Sequence, residues 1–161
     1  MIVVQSRIHL GPIAGMKIFD FLINSTDREY QRWWPGTHIE MHTLKYGPNN
    51  VGNIVYMDEF VGKYRLKMTA VVIEAEPGRK IVWQLKKLIR LPIWLFLELE
   101  EGKEGLTITH TIKGGFEGVG RILDFLFRVF FSREFEKAMD EHAKAEFPKL
   151  RDMLSTTNPA R

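Results

Sequence analysis

Hydrophobic residues change their spacing along this chain, and each change marks an element. From Ile2 to Leu10 apolar and polar residues alternate and β-branched types are frequent, which predicts a first strand. Ile13, Met16, Phe19 with Ile18, Leu22 and Ile23 then recur at helical spacing. A first helix is therefore expected from Pro12, a residue suited to the first helical position, to about Asn24. Thr26-Asp27-Arg28-Glu29 matches a capping box, in which the threonine hydroxyl and the glutamate carboxylate satisfy each other's free backbone amides. It predicts a short second helix that carries Tyr30, Trp33 and Trp34 and stops at Pro35-Gly36.

From about His38 to Lys113 strand-like segments follow one another six times with no helix between them. Turn chemistry separates them at Gly47-Pro48-Asn49-Asn50, Val61-Gly62-Lys63, Glu76-Pro77-Gly78-Arg79, Leu91-Pro92 and Glu101-Gly102-Lys103-Glu104-Gly105. Connections this short lead to antiparallel pairing of neighbours. Alternation gives each strand an inward face: Tyr64, Leu66, Met68, Ala70 and Val72; Ile81, Trp83 and Leu85; Ile93, Leu95, Leu97 and Leu99; Leu106, Ile108, His110 and Ile112. A β-bulge would exchange the faces beyond it.

The last segment, Phe116 to Leu154, is helical in pattern but discontinuous. At about 100° per residue, Val119, Ile122, Leu123, Phe125, Leu126, Phe127, Val129, Phe130 and Phe131 point one way, and Phe135, Met139, Leu150 and Met153 nearly the opposite way. One straight helix cannot bury both. Ser132, followed by Glu134 and Glu136, has the character of a new N-cap with an acidic first turn. Either the helix breaks there and Val119 to Phe131 lids a cavity, or it continues and shows its phenylalanines to a second copy or a membrane. Pro148, which lacks the amide a helix interior needs, predicts a further kink. One domain is expected over residues 1–154, with a disordered tail over 155–161.

Composition narrows the function classes. At 161 residues the chain is long enough to bury roughly two thirds of its unfolded surface. Its 45% hydrophobic and 27% charged residues are those of a soluble globule. Absence of cysteine removes disulfides, thiolate catalysis and cysteine-ligated metal. The N-terminus lacks the pattern of a secretory signal, and Leu88 to Leu97, the most apolar stretch, is too short to span a bilayer. A cytoplasmic protein is expected. The net charge of +3 is spread along the chain, and with no zinc-finger, RNA-binding or arginine-rich pattern no nucleic-acid partner is expected.

Strand, two helices, six strands and a long final helix is an α+β order that resembles the helix-grip fold of the START and Bet v 1-like (SRPBCC) superfamily, including its polyketide cyclase-like branch. Local matches are Trp33-Trp34-Pro35, Val51-Gly52, Ala75-Glu76-Pro77, Gly105-Leu106-Thr107 and the terminal helix. The resemblance implies a curved antiparallel seven-stranded sheet around an internal cavity that takes a hydrophobic small molecule or lipid. Architecture in this superfamily says little about chemistry, so the site must supply the function. Alternatives are a cyclase, aromatase or dehydratase, and an interaction protein resembling the helix-grip activators of heat-shock chaperones.

The candidate cavity set is Trp34, Tyr64, Leu66, Met68, Trp83, Leu95, Leu97, Ile108, His110, Phe135, Met139 and His142. For catalysis the candidates are His110, Tyr64 and Glu59, because an imidazole in an apolar wall can bind a ligand oxygen or move a proton near neutral pH. Bonding of His110 to backbone or water is the alternative. Asp58, Glu59, Tyr56, Tyr64 and Lys67 cluster at one hairpin, where ion pairing across the strands is expected. His38 and His42, with Glu40 between them, fall on one strand face, expected to be solvent-exposed, so no metal and no cofactor are expected. GxSxG, P-loop and dinucleotide-binding patterns are absent. The segment Lys86 to Trp94 joins three cations to apolar residues at a hairpin tip, which suits transient contact with an anionic membrane or an ordinary half-buried hairpin.

Overall fold

The computed structural model describes residues 1–116 and 131–156. In chain order the elements are β1 (Ile2–Gly11), α1 (Gly15–Asn24), α2 (Asp27–Trp33), β2 (His38–Lys45), a 3-10 turn at Pro48–Asn50, β3 (Ile54–Val61), β4 (Tyr64–Glu76), β5 (Lys80–Lys86), β6 (Arg90–Gly102), β7 (Gly105–Gly114) and α3 (Arg133–Thr156). The strands form one antiparallel sheet in the order β1-β7-β6-β5-β4-β3-β2. The six strands after α2 thus pair in sequence, and β1 closes onto the last of them. Register shifts interrupt four of the six ladders.

Local chemistry explains most boundaries. At α2 both halves of the capping box form: Thr26 Oγ1 accepts from the Glu29 amide at 3.4 Å, and a Glu29 carboxylate oxygen accepts from the Thr26 amide at 3.1 Å. Gly62, at φ +58°, turns the β3–β4 hairpin in a conformation that other residues rarely adopt. The strand faces follow the alternation, with Ala70, Val72, Ile81, Leu97, Leu106 and Ile108 almost wholly buried.

Two expected boundaries move, and one expected cap forms. Helix α1 begins at Gly15 rather than Pro12, because the Glu101 carboxylate accepts from the Gly15 amide at 2.7 Å and the backbone there lies so close to Gly78 that a Cβ would fall 2.5 Å from its carbonyl oxygen. Leu91-Pro92 is not the turn between β5 and β6. The chain reverses over Lys87–Ile89, and Pro92 sits within β6 beside the register shift, where the missing amide costs no ladder bond. Finally, α3 starts at Arg133: Ser132 Oγ accepts from the Phe135 amide at 3.2 Å, and Glu134 and Glu136 occupy the first turn. Val119 to Phe130, with the lid and partner roles expected of them, lie outside the described residues. Of the expected tail, Ser155 and Thr156 are helical and the remainder lies outside the described residues. Pro148 stands inside α3, which continues past it to Thr156.

Helix α3 lies over the concave face with Met139, His142, Ala143, Glu146, Phe147 and Leu150 turned inward. Among the bonds that tie it down, Ser6 Oγ donates to Asp140 at 2.6 Å, Trp33 Nε1 to the Glu146 carbonyl at 2.7 Å, and Arg151 to the Leu10 carbonyl at 3.1 Å. No helix among the described residues is long and apolar enough to cross a membrane.

Candidate functional site

After α2 the chain turns through Trp34-Pro35-Gly36-Thr37 and enters β2 at His38, whose amide donates to the Trp34 carbonyl at 3.0 Å. His38 pairs with Glu59 of β3, but Glu40 pairs with Asp58, so Ile39 is an extra residue in the ladder. That bulge reverses the face: His38 and Met41 point inward, while His42 points out and lies 2.7 Å from Asp27. The expected shared solvent face of His38 and His42 is therefore corrected. His38 is almost completely buried; the Tyr30 ring is stacked on it at 4.0 Å and the Trp33 ring meets it edge-on at 4.5 Å.

Three further polar groups converge on His38. Alternation along β3 turns Val55, Met57 and Glu59 inward, and one helical turn on α3 separates His142 from Glu146. His38 Nε2 lies 3.7 Å from Glu59 and 3.5 Å from Glu146; His142 Nε2 lies 3.6 Å from Glu59 and 3.3 Å from Glu146. Tyr30 Oη donates to Glu59 at 2.6 Å, and the Trp34 ring stacks on His142 at 4.8 Å. Burial works against charge on the His142 imidazole, yet the Glu146 and Glu59 carboxylates outweigh it and push its pKa up to about 10. Burial likewise opposes the Glu146 carboxylate, and the two imidazoles overcome it, holding its pKa at about 2. Tyr30 is pushed far above the usual phenol range by burial and by Glu59, so it remains a donor.

This cluster closes one end of a cavity of about 500 Å³ that runs under α3. Its walls are Leu66, Met68, Leu85, Ile93, Leu95, Ile112, Phe131, Phe135 and Met139; Tyr64 and Ser132 stand near the N-terminus of α3, and Glu59, His110, His142 and Glu146 line the cavity too.

Of the expected cavity residues, Tyr64, Leu66, Met68, Leu95, His110, Phe135, Met139 and His142 line this space. Trp83 and Leu97 instead border a small void of about 70 Å³ beside it. Ile108 is wholly buried in the core, and Trp34 lies on the outer side of His142 at a separate groove. The trio His110, Tyr64 and Glu59 shares the cavity but is not joined by hydrogen bonds. Tyr64 Oη reaches Glu134 at 3.4 Å, and Glu59 is held by Tyr30. Burial keeps the His110 imidazole below its usual pKa, with Glu146 and Glu59 only partly opposing this. Asp58 faces away from the cavity and forms ion pairs across the hairpin, the expected one with Lys67 at 3.6 Å and a shorter one with Arg65 at 2.8 Å.

Sequence reasoning missed His38, Glu146 and Tyr30. The i, i+4 pair His142 and Glu146 on the face of Met139 and Leu150 was the available signal for one half of the cluster. Nothing in the local pattern of β2 announced its bulge.

No protein-family model matches the chain, and no curated protein does. Solved structures do. Ara h 8.0201 superposes with a TM-score of 0.65 at 9% identity, over 97% of this chain and 99% of that one. A Staphylococcus aureus protein of unknown function gives 0.62 at 10% identity, over 97% and 94%. The Aha1 dimer from Colwellia psychrerythraea gives 0.51 at 15% identity, over 91% and 98%. Likeness at such identity is a statement about architecture. With its seven-stranded sheet wrapped around a long terminal helix, the chain has the helix-grip fold.

Proposed function

We propose that this protein binds a hydrophobic small molecule or lipid along the inner face of α3, its apolar body against Leu66, Met68, Leu95 and Phe135 and its polar group toward His110 and the His142–Glu146 pair. The observation that carries this reading is a cavity of about 500 Å³ with apolar walls and a buried polar end. That volume falls in the range that encloses small organic ligands, and a few polar groups in an apolar wall set orientation. Native mass spectrometry of freshly purified protein is the test. Co-purified lipid or aromatic ligand supports the reading, and in emptied protein a bound fluorescent fatty acid should be weakened more than about tenfold by Leu66→Trp, which fills the hollow. Protein that carries nothing and takes up neither fatty acid nor an aromatic probe would remove it.

A second reading is favoured by the placement of His110 in the cavity wall beside apolar residues: a cyclase or dehydratase-like enzyme in which His110 takes a proton from a bound polyketide-type ligand. Turnover of a β-dicarbonyl compound that disappears in His110→Ala while binding persists would support it, and an unchanged rate would eliminate that role. Loading of either kind of ligand is served by the β5–β6 hairpin, whose tip exposes Leu88 and Ile89 between Lys86, Lys87 and Arg90.

A further inference from the structure

We propose that His38, Glu59, His142 and Glu146 bind one divalent transition-metal ion at the inner end of the cavity, through two imidazole nitrogens and two carboxylate oxygens. All four ligand atoms lie within 4.8 Å of one another. The four imidazole–carboxylate separations are 3.3, 3.5, 3.6 and 3.7 Å. Bonds of about 2.0–2.1 Å to a tetrahedral ion place neighbouring ligand atoms about 3.3–3.4 Å apart, close to these four imidazole–carboxylate separations. A charged imidazole–carboxylate hydrogen bond is shorter, about 2.7–2.9 Å. An imidazole–carboxylate contact of 2.7 Å does occur elsewhere, between His42 and Asp27, so the wider spacing belongs to this cluster.

Donor accounting points the same way. Both ring nitrogens of His38 and Nε2 of His142 are buried without a hydrogen-bond partner, although buried polar nitrogens are ordinarily satisfied. An ion between the four groups would engage one nitrogen of each ring. Charge agrees as well, because two carboxylates in a buried site need two positive charges beside them, and a divalent ion supplies both while the imidazoles stay neutral. The donor set excludes thiolate and includes nitrogen, which suits zinc, iron, manganese or cobalt over calcium and magnesium. Supporting contacts of the kind that orient metal ligands are present: Tyr30 Oη on Glu59, and the Tyr30 and Trp34 rings stacked on His38 and His142. Glu59, His142 and Glu146 also line the cavity, which gives an ion a route in. The site stands whether or not the cavity holds a hydrophobic ligand.

The test uses the untagged full chain, stripped with chelator and titrated with cobalt(II) and then zinc. One equivalent of cobalt should develop the intense visible bands of tetrahedral coordination and be displaced by zinc. Affinity should fall more than about tenfold in His38→Gln and in Glu146→Gln, whereas His9→Gln and His42→Gln leave it unchanged. Should the buried variants fail to fold, the wild-type protein decides: zinc must raise its Tm, and chelator must reverse the shift. Absence of saturable binding to the wild-type chain, or binding that survives both buried substitutions, would overturn the proposal.

Discussion

The Tyr30 ring lies parallel to the His38 imidazole within 6°, centroids 4.0 Å apart, while its hydroxyl donates at 2.6 Å to Glu59, the residue paired with His38 across the β2–β3 ladder. One side chain of α2 thus braces two members of the buried cluster. Tyr30→Phe keeps the stack and deletes the donor, leaving a carboxylate that is only 9% exposed with one bond fewer. A loss of about 1–3 kcal/mol is expected in urea denaturation. The double variant Tyr30→Phe, Glu59→Gln should cost less than the sum of the singles, and strict additivity would show that the bond is not coupled.

Asp58 makes a pH prediction with a definite sign. The two hydrogen bonds from Arg65, at 3.0 and 2.8 Å, lead the effects that hold its carboxyl below the usual aspartate range, against the opposing effect of burial. A carboxylate whose pKa is lowered on folding adds stability above its unfolded pKa and loses it as pH falls through the folded value. Asp58→Asn should therefore cost about 1–3 kcal/mol near neutrality, and the deficit should shrink below about pH 4. Denaturation midpoints of both proteins, followed from about pH 7 down through the carboxylate titration, measure the effect. A deficit independent of pH would contradict the assignment.

Ser132 starts α3 through its hydroxyl, so Ser132→Ala should destabilise the protein by about 1 kcal/mol, and Ser132→Asp should be close to neutral. Thermal unfolding of the two variants separates a cap from a mere surface serine, for which neither change would register.

The hairpin tip gives a membrane prediction. Leu88 is 98% exposed and Ile89 72%, flanked by three cations. If this tip meets lipid, co-sedimentation with anionic phosphatidylserine-containing vesicles should be strongly reduced by Leu88→Asp with Ile89→Asp and should weaken as salt rises, while neutral vesicles are bound weakly throughout. Equal binding by the variant would assign any membrane affinity to another surface.

Much of the scaffold was legible because it depends on neighbours in the chain. Thr26 and Glu29 cap α2 from three residues apart, Ser132 caps α3 by the same local logic, and alternation placed Leu66, Met68, Leu95 and His110 on the inward faces that now line the cavity. The same reasoning failed where one strand broke its period. With Ile39 inserted, His38 turns inward and His42 outward, and a pair read as solvated becomes one buried histidine and one outward histidine 2.7 Å from Asp27. Pro12 and Pro92 were misplaced for a related reason: the boundaries near them answer to Glu101, Gly78 and the β5–β6 register, none of them visible from the prolines' own neighbours.

By itself, then, the chain determined its elements, their order and most of their inward faces, since hydrogen-bonded caps, turns and alternating side chains act over a few residues. Only the tertiary structure decided that His38, Glu59, His142 and Glu146 meet. They come from two strands and a helix spread across more than half the chain, and they converge because a bulge in β2, the pairing of β2 with β3 and the docking of α3 on the sheet each act over distances along the sequence that no local pattern encodes.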